Sequence, residues 1–515
     1  MKLTTCLGTM AVLAAIGVGL RGVQGASYTW DGGGADNNWS TSQNWSADTA
    51  PANDGTATVY FGGTTKTQVN VDVNQSVQQL VFNTGAGAFT LSGGQISLAG
   101  DNPSAGPDTS KGLVQNSTST VTINSPLVLA NRQTILAANG QLVLNGTVSI
   151  GATDVRLVTG PGTLNINSAI TGTFTGQLAF NGGGTSTVNV ASTYKGRTTI
   201  FNSTVVLNTD VYANHGGFGN GSTASEVGMG ASVANLHPVL LIGGAYTFAR
   251  DVRLNAPDTT PTNTFKIGGS TADTATFSGN IITGGNDGNA RALTLTASEG
   301  GRLVVTGNLK RATGATGSDD NLTKVGKGTV VLAGSVNDYR GTTTVSEGSL
   351  LVNGVLTSGG GTVSVAGNAT LGGAGTIHRA VALLDNATLA PGDNGVGELT
   401  VDSLTLSSGS LINVNFSGSS SDTVVVDGNL VLDGVLNITA ADTITPGTYT
   451  LFTYTGTLTN NGLMLGTAPA DATYTIDAST PGQVNLAVVP EPATAGIMLV
   501  GAGAMILLLR KRREH

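Results

Sequence analysis

The chain of 515 residues holds one cysteine, Cys6, and that cysteine lies beside an apolar stretch at the amino terminus. Once that stretch is removed no disulfide can form, so stability must come from repeated hydrogen bonding and core stacking. Aromatic residues make up only 5% of the chain, too few for a core built on rings, so small β-branched and aliphatic side chains must fill the interior. Charge is also sparse, at 10% of residues, which rules out a polyelectrolyte. Between Ala26 and Val489 acidic residues outnumber basic ones 29 to 17, so no basic face is available for nucleic acid or anionic lipid. Proline is scarce at 14 residues, and the 76 glycines follow no third-residue period, which excludes collagen. No helical periodicity of useful length occurs, yet Val and Leu pairs recur throughout, unlike in chains that stay unfolded.

What is present is a short alternating stretch closed by glycine: "LVLNG" at 142–146, "VVLAG" at 330–334, "LLVNG" at 350–354, "VVVDG" at 424–428 and "LVLDG" at 430–434. Each reads as a strand of period two stopped by a residue that can adopt positive φ. Gly334, Gly354 and Gly373 follow one another at 20 and 19 residues, the length of one solenoid coil. The fold class expected is all-β, a right-handed parallel β-helix. In it Val330 and Leu332, Leu350 and Val352, and Leu371 would stack inward coil over coil. Asparagines beside the glycines, Asn145, Asn353 and Asn429, would bond in the turns or stack along the axis. An antiparallel sandwich is the competing architecture.

Residues that could carry chemistry are few. His215, His237 and His378 stand in no zinc spacing, no G-x-S-x-G elbow occurs, and no mature thiol remains. Asp385, Asp393, Asp422 and Asp427 sit beside glycines or turns, where Asp bonds its own backbone. The adjacent Asp319 and Asp320, with Lys324, are the candidates for an alternative function, a carbohydrate-active β-helical enzyme acting as polysaccharide lyase or glycoside hydrolase. "GGNDGNA" at 284–290 is one imperfect copy of a calcium-binding pattern, so no cofactor is expected and calcium is left open there. All three tryptophans, Trp30, Trp39 and Trp45, fall within "WDGGGADNNWSTSQNW". They form either a cap over the first coil or a sugar-stacking platform with Asp31, Asp36, Asn37 and Asn38.

The two ends read as addresses. Lys2, an apolar stretch from Leu7 to Leu20, and Val23-Gln24-Gly25 before Ala26 have the form of a signal peptide. At the other end Ala493 to Leu509 carry no charge and are closed by Arg510, Lys511, Arg512 and Arg513. As a helix those residues would cover roughly 25 Å, the short edge of a membrane span, with the cations as a cytoplasmic stop. The final stretch from "VPEPATAG" onward resembles the PEP-CTERM sorting signal of Gram-negative bacteria through Pro490, Glu491 and Pro492, the apolar run and the basic end. That resemblance implies recognition by an exosortase, removal of the tail, and delivery to the surface or an extracellular matrix.

A second resemblance lies in the body. "LTKVGKGTVVLAGSVNDYRGTTTVSEGSLLVNG", 322–354, is similar to the autotransporter-associated β-strand repeat, in residues that include Lys324, Gly326, Tyr339, Gly341 and Gly354. "LGGAGTI" at 371–377, "LAPGDNGVGELTV" at 389–401 and "SSDTVVVDGNLVLDGVLNI" at 420–438 look like the segments that follow it, and "YKGRTTIFNSTVVLN" at 194–208 like a degenerate earlier copy. The family implies the same parallel β-helix and no catalytic activity. With a single apolar run in place of a β-barrel at the end, self-export is not expected. "TWDGGG…NWS…NW" openings are similar to those of exported repeat proteins with differing bodies, which favours the cap.

The organisation expected is a signal peptide over 1–25, a capping segment over 26–62, a degenerate β-solenoid over 63–321, the repeat region over 322–440, terminal coils and linker over 441–489, and a sorting and anchor segment over 490–515. The function expected is a non-enzymatic exported surface or matrix protein, a rigid rod for adhesion or spacing. Its partners would be signal peptidase, an exosortase-type enzyme, exopolysaccharide or other surface proteins, and the inner membrane through the C-terminal helix of an anchored precursor.

Overall fold

The computed structural model describes residues 25–102, 109–151, 154–174, 176–213, 218–219, 226–231, 233–256, 263–283, 291–313 and 320–490. Short strands succeed one another along the whole of it, interrupted by two three-residue 3-10 turns at Ser42–Asn44 and Ser46–Asp48. Strands 141–144, 163–166, 185–188 and 204–207 alternate half-buried and buried residues, as a strand must when one face meets a core and the other meets water. Each pairs in parallel with its counterpart one coil on. The result is a β-solenoid. Its first side is a 12-stranded sheet from 27–30 to 309–311. Its second side ascends from 68–71 beyond 398–406. Its third side holds a lower sheet of five strands, 75–77 to 170–171, and an upper sheet that runs from 247–248 to 464–465. At about 4.8 Å per strand the first side alone extends ~50 Å along the axis.

The core consists of aliphatic columns. On the upper third side Leu303, Val330, Leu350, Leu371, Leu389 and Ile412 are directly paired in succession, and each is fully buried. The period-two stretches and the 20-residue spacing of Gly334 and Gly354 thus mark real coils, whereas the 19-residue step does not: the next coil is 21 residues long, and Gly375 rather than Gly373 stands over Gly354. The glycines that close them have a different cause from the one expected. Among Gly146, Gly334, Gly354, Gly428 and Gly434, only Gly434 has positive φ. A Cβ on Gly354 would stand 1.9 Å from the Gly334 carbonyl oxygen, and one on Gly334 would stand 2.5 Å from that of Gly307. These glycines are required because the backbones of successive coils nearly touch at the corner.

Corner backbone groups that miss the sheet ladders are met by side chains of the neighbouring coil. Asn353 Oδ1 accepts from Ala374 N at 3.1 Å, Asn429 Oδ1 from Thr457 N at 2.9 Å, and Asp385 Oδ1 from Gly409 N at 3.0 Å. Turn carboxylates and amides here serve the next coil more than their own backbone. A row of asparagines goes further. Asn145 Nδ2 donates to Asn124 Oδ1, Asn167 to Asn145, Asn189 to Asn167 and Asn208 to Asn189, at 2.8, 3.0, 2.6 and 2.7 Å. The row stops at Gly243, where a Cβ would lie 2.0 Å from Asn208 Oδ1.

Both ends depart from the coil pattern. Trp30, Trp39 and Trp45 are buried to 1%, 1% and 0% exposure. They pack edge to face, with Trp45 5.1 Å from Trp30 and 4.9 Å from Trp39, and continue inward through Phe61, Phe82 and Phe89. At the far end the pairing turns antiparallel, with 483–490 lying between 447–454 and 472–477.

One part of the expected fold class is corrected. Among the described residues no helix is long and apolar enough to cross a membrane, and the segment that carried the expectation, 493–509, lies outside the described residues. Lack of charge is a necessary condition for a spanning helix but does not make one. The transmembrane helix, the membrane as a partner and the membrane-anchored precursor are therefore withdrawn.

Candidate functional site: a hydroxyl-lined groove on the upper third side

The residues singled out for chemistry do not converge. Lys324 is fully enclosed, and its ammonium donates to the carbonyl oxygens of Gly326 at 2.6 Å and Glu347 at 2.8 Å. Burial pulls it down to about 8, against a weaker upward influence from Glu347. Asp320, also buried, accepts from the backbone N–H of Arg291 at 2.8 Å. The two serve separate backbone groups, and Asp319 lies outside the described residues. His237 meets Thr264 at 2.9 Å and exposed His378 meets Asp402 at 3.2 Å, while His215 lies outside. Asp422 is buried and accepts from Gly397 N, Asn415 N and Asn415 Nδ2, and its burial pushes its pKa up. Among the described residues no group of three or more His, Cys, Asp or Glu could hold a metal ion. The calcium-like 284–290, with Glu491, Pro492 and the four cations Arg510–Arg513, lie outside the described residues, whereas Pro490 ends the last strand.

Most polar groups around the tryptophans are spent internally, the buried indole N–H of Trp39 being left without a partner among the described residues. Asp36 accepts from Asn38 N, Thr41 Oγ1 and Asn44 Nδ2, and the indole N–H of Trp45 donates to Trp39 O at 2.7 Å. No ring face of the three is open for a sugar.

Two buried tyrosines mark equivalent turns. Tyr339 OH meets Thr343 Oγ1 at 2.6 Å, Tyr194 OH meets Thr198 Oγ1 at 2.6 Å, and each sequence reads Tyr-basic-Gly-x-Thr. Arg379 stacks on the Tyr339 ring at 4.2 Å. Burial raises both phenols, that of Tyr194 to about 12.

A broad concavity lies elsewhere, on the outer surface of the upper third side, with a volume of about 1040 Å³. Its floor is made of outward residues from successive coils. Thr329, Ser349 and Thr370 are aligned by direct pairing, with Leu351 beside them. One wall is the loop that follows strand 388–391. Asp393 in that loop pairs with Arg302, four strands back, and accepts from Asn353 Nδ2 at 2.7 Å. Further lining comes from the hairpin of 411–417 with 420–421 and from 439–441. Nothing in the sequence marks Arg302 or the groove, because the contact joins residues 91 positions apart.

Comparison with known proteins gives two local matches and one relative. Residues 322–352 match the Passenger-associated-transport-repeat, and residues 488–513 match the PEP-CTERM protein-sorting motif. Both expected resemblances are therefore borne out in the places assigned to them. The chain is also similar to the Adhesin BmaC autotransporter of Brucella suis biovar 1 (strain 1330), at 42% identity over 113 residues, or 20% of this chain. It spans 3% of that protein's length.

Proposed function

We propose that the chain is a non-enzymatic exported surface or matrix protein, a rigid β-solenoid rod for adhesion or spacing. The observation that carries this reading is the coil-to-coil pairing that continues along the second side from 68–71 past 398–406, which holds many outward Thr, Ser and Asn residues at fixed intervals of about 4.8 Å. Such a surface makes many weak contacts at once and gains strength by multivalency. The sorting-motif match supports export, and the similarity to a protein named as an adhesin supports attachment. The tryptophan cluster is the cap of this rod, covering the first coil with Trp30, Trp39 and Trp45, since a terminal repeat needs a seal that its neighbour would otherwise provide. The test uses plant and algal polysaccharides and beads coated with the full chain. Coated beads should attach to cells or polysaccharide while no new reducing ends appear, with or without chelator. Released product, or no attachment above bare beads, would contradict the reading.

A further inference from the structure

We infer that the groove on the upper third side is a binding site for a neutral, extended oligosaccharide laid along the rod axis; this deepens the adhesive reading above and rests on it. Its floor presents hydroxyls in a line. Thr329, Ser349 and Thr370 sit at one register on three consecutive strands, so their spacing is the strand spacing of about 4.8 Å. Strands 302–305 to 435–440 contribute to the floor and walls, a length of roughly 30 Å along the axis, which suits a chain of sugars more than a single ring.

Charge selects the ligand class. The charged side chains lining the cavity are Arg302 and Asp393, and they neutralise each other. A phosphate, an acidic sugar or a cation would find no uncompensated partner there. What remains are the hydroxyls, which donate and accept, and the amides of Asn394 and Asn415, each with one Nδ2 hydrogen already given to Asp393 or Asp422 and its oxygen left to accept, with Leu351 and Val396 offering small apolar patches. That mixture complements a neutral polyol, whose hydroxyls need donors and acceptors and whose C–H faces need apolar contact. An extended peptide is disfavoured, because peptide recognition on sheets uses free strand edges, and the floor strands are already paired on both sides.

The loop at 392–396 gives the site a fixed wall. Two strands back it is tied to Asn353, and four strands back to Arg302, so the concavity is held open before any ligand arrives. Val331, an outward residue between the aligned rows, is only 1% exposed, consistent with a covered floor beneath that wall.

The experiment is calorimetric titration of the full chain with cellohexaose, laminarihexaose and mannohexaose, their disaccharides, and polygalacturonate. At least one neutral hexasaccharide should bind saturably, at least tenfold more tightly than its disaccharide and than polygalacturonate. Thr370→Trp, which fills the floor from an outward position, should weaken binding at least tenfold without changing the melting temperature. Asn394→Ala, on the exposed wall, gives a second variant should the first fail to fold, and should weaken binding several-fold. Failure of every neutral hexasaccharide to bind would overturn the proposal, as would preference for polygalacturonate or equal binding in both variants. Beads of Thr370→Trp chain separate this from the broader reading: if they attach like wild type while hexasaccharide binding never appears, the groove assignment fails and the adhesive rod stands.

Discussion

At the scale of single residues, two side-chain roles differ from what their type suggests. Lys324 is a lysine in a core-facing position, tolerated because two carbonyl oxygens receive its ammonium. Its folded pKa, about 8, is below its ordinary 10.5. Between those values the unfolded chain binds a proton that the folded chain does not, so unfolding free energy rises with pH across that window. Denaturant titrations at pH 7.5 to 10.5 should show this rise in the wild type and a smaller one in Lys324→Met; identical slopes would exclude Lys324 as the cause. The closing glycines offer the second case. Gly354→Ala should cost about 1–3 kcal/mol, because its Cβ meets the Gly334 carbonyl oxygen. Gly359→Asn should cost well under 1 kcal/mol: φ is positive there but the space is open, and Asn tolerates that region. Urea midpoints compare them, and equal losses would restore backbone conformation as the reason for both glycines. Sequence alone could not separate the two, since it shows where a glycine stands and not which carbonyl faces it.

At the scale of elements, the unit is the rung: three short strands and their corners. The strands were legible, because Val330, Leu350 and Leu371 each follow a hydroxyl residue, Thr329, Ser349 or Thr370, at coil-length spacing and are paired in that register. The Tyr339 turn and its earlier copy at Tyr194 were legible for a similar reason, with the hydroxyl contact four residues ahead in both. The inter-coil role of Asx side chains was only half visible: asparagine stacking follows from equivalence of coils, but which N–H each carbonyl meets depends on corner shape. Arg302 and Asp393 were invisible, since they stand on coils four strands apart. The asparagine row gives a quantitative expectation. Asn167 both donates to Asn145 and accepts from Asn189, whereas Asn208 ends the row with one such bond. At about 0.5–1 kcal/mol per half-exposed bond, Asn167→Ala should destabilise by roughly twice as much as Asn208→Ala. The pair Asn145→Ala with Asn167→Ala should lose less than the sum, because they share a bond. Additive losses in chemical denaturation would show that the row is not coupled.

At the scale of the whole molecule, a single column of cores runs from an aromatic end to an antiparallel end, and contacts join each coil chiefly to its neighbours. Sealing the aromatic end should therefore matter more than any one coil: Trp45→Ala removes a fully buried ring in contact with Trp30, Trp39 and Phe61, and should cost about 3–5 kcal/mol in denaturant unfolding. A loss below ~1 kcal/mol would remove the cap. The central claim is the rod itself, and small-angle X-ray scattering of the full chain tests it most directly. Stacked coils from 27–30 to 464–465 should give an asymmetric pair-distance distribution reaching roughly 80 Å or more. A symmetric distribution with a radius of gyration near the ~23 Å of a compact chain of this size would contradict the account.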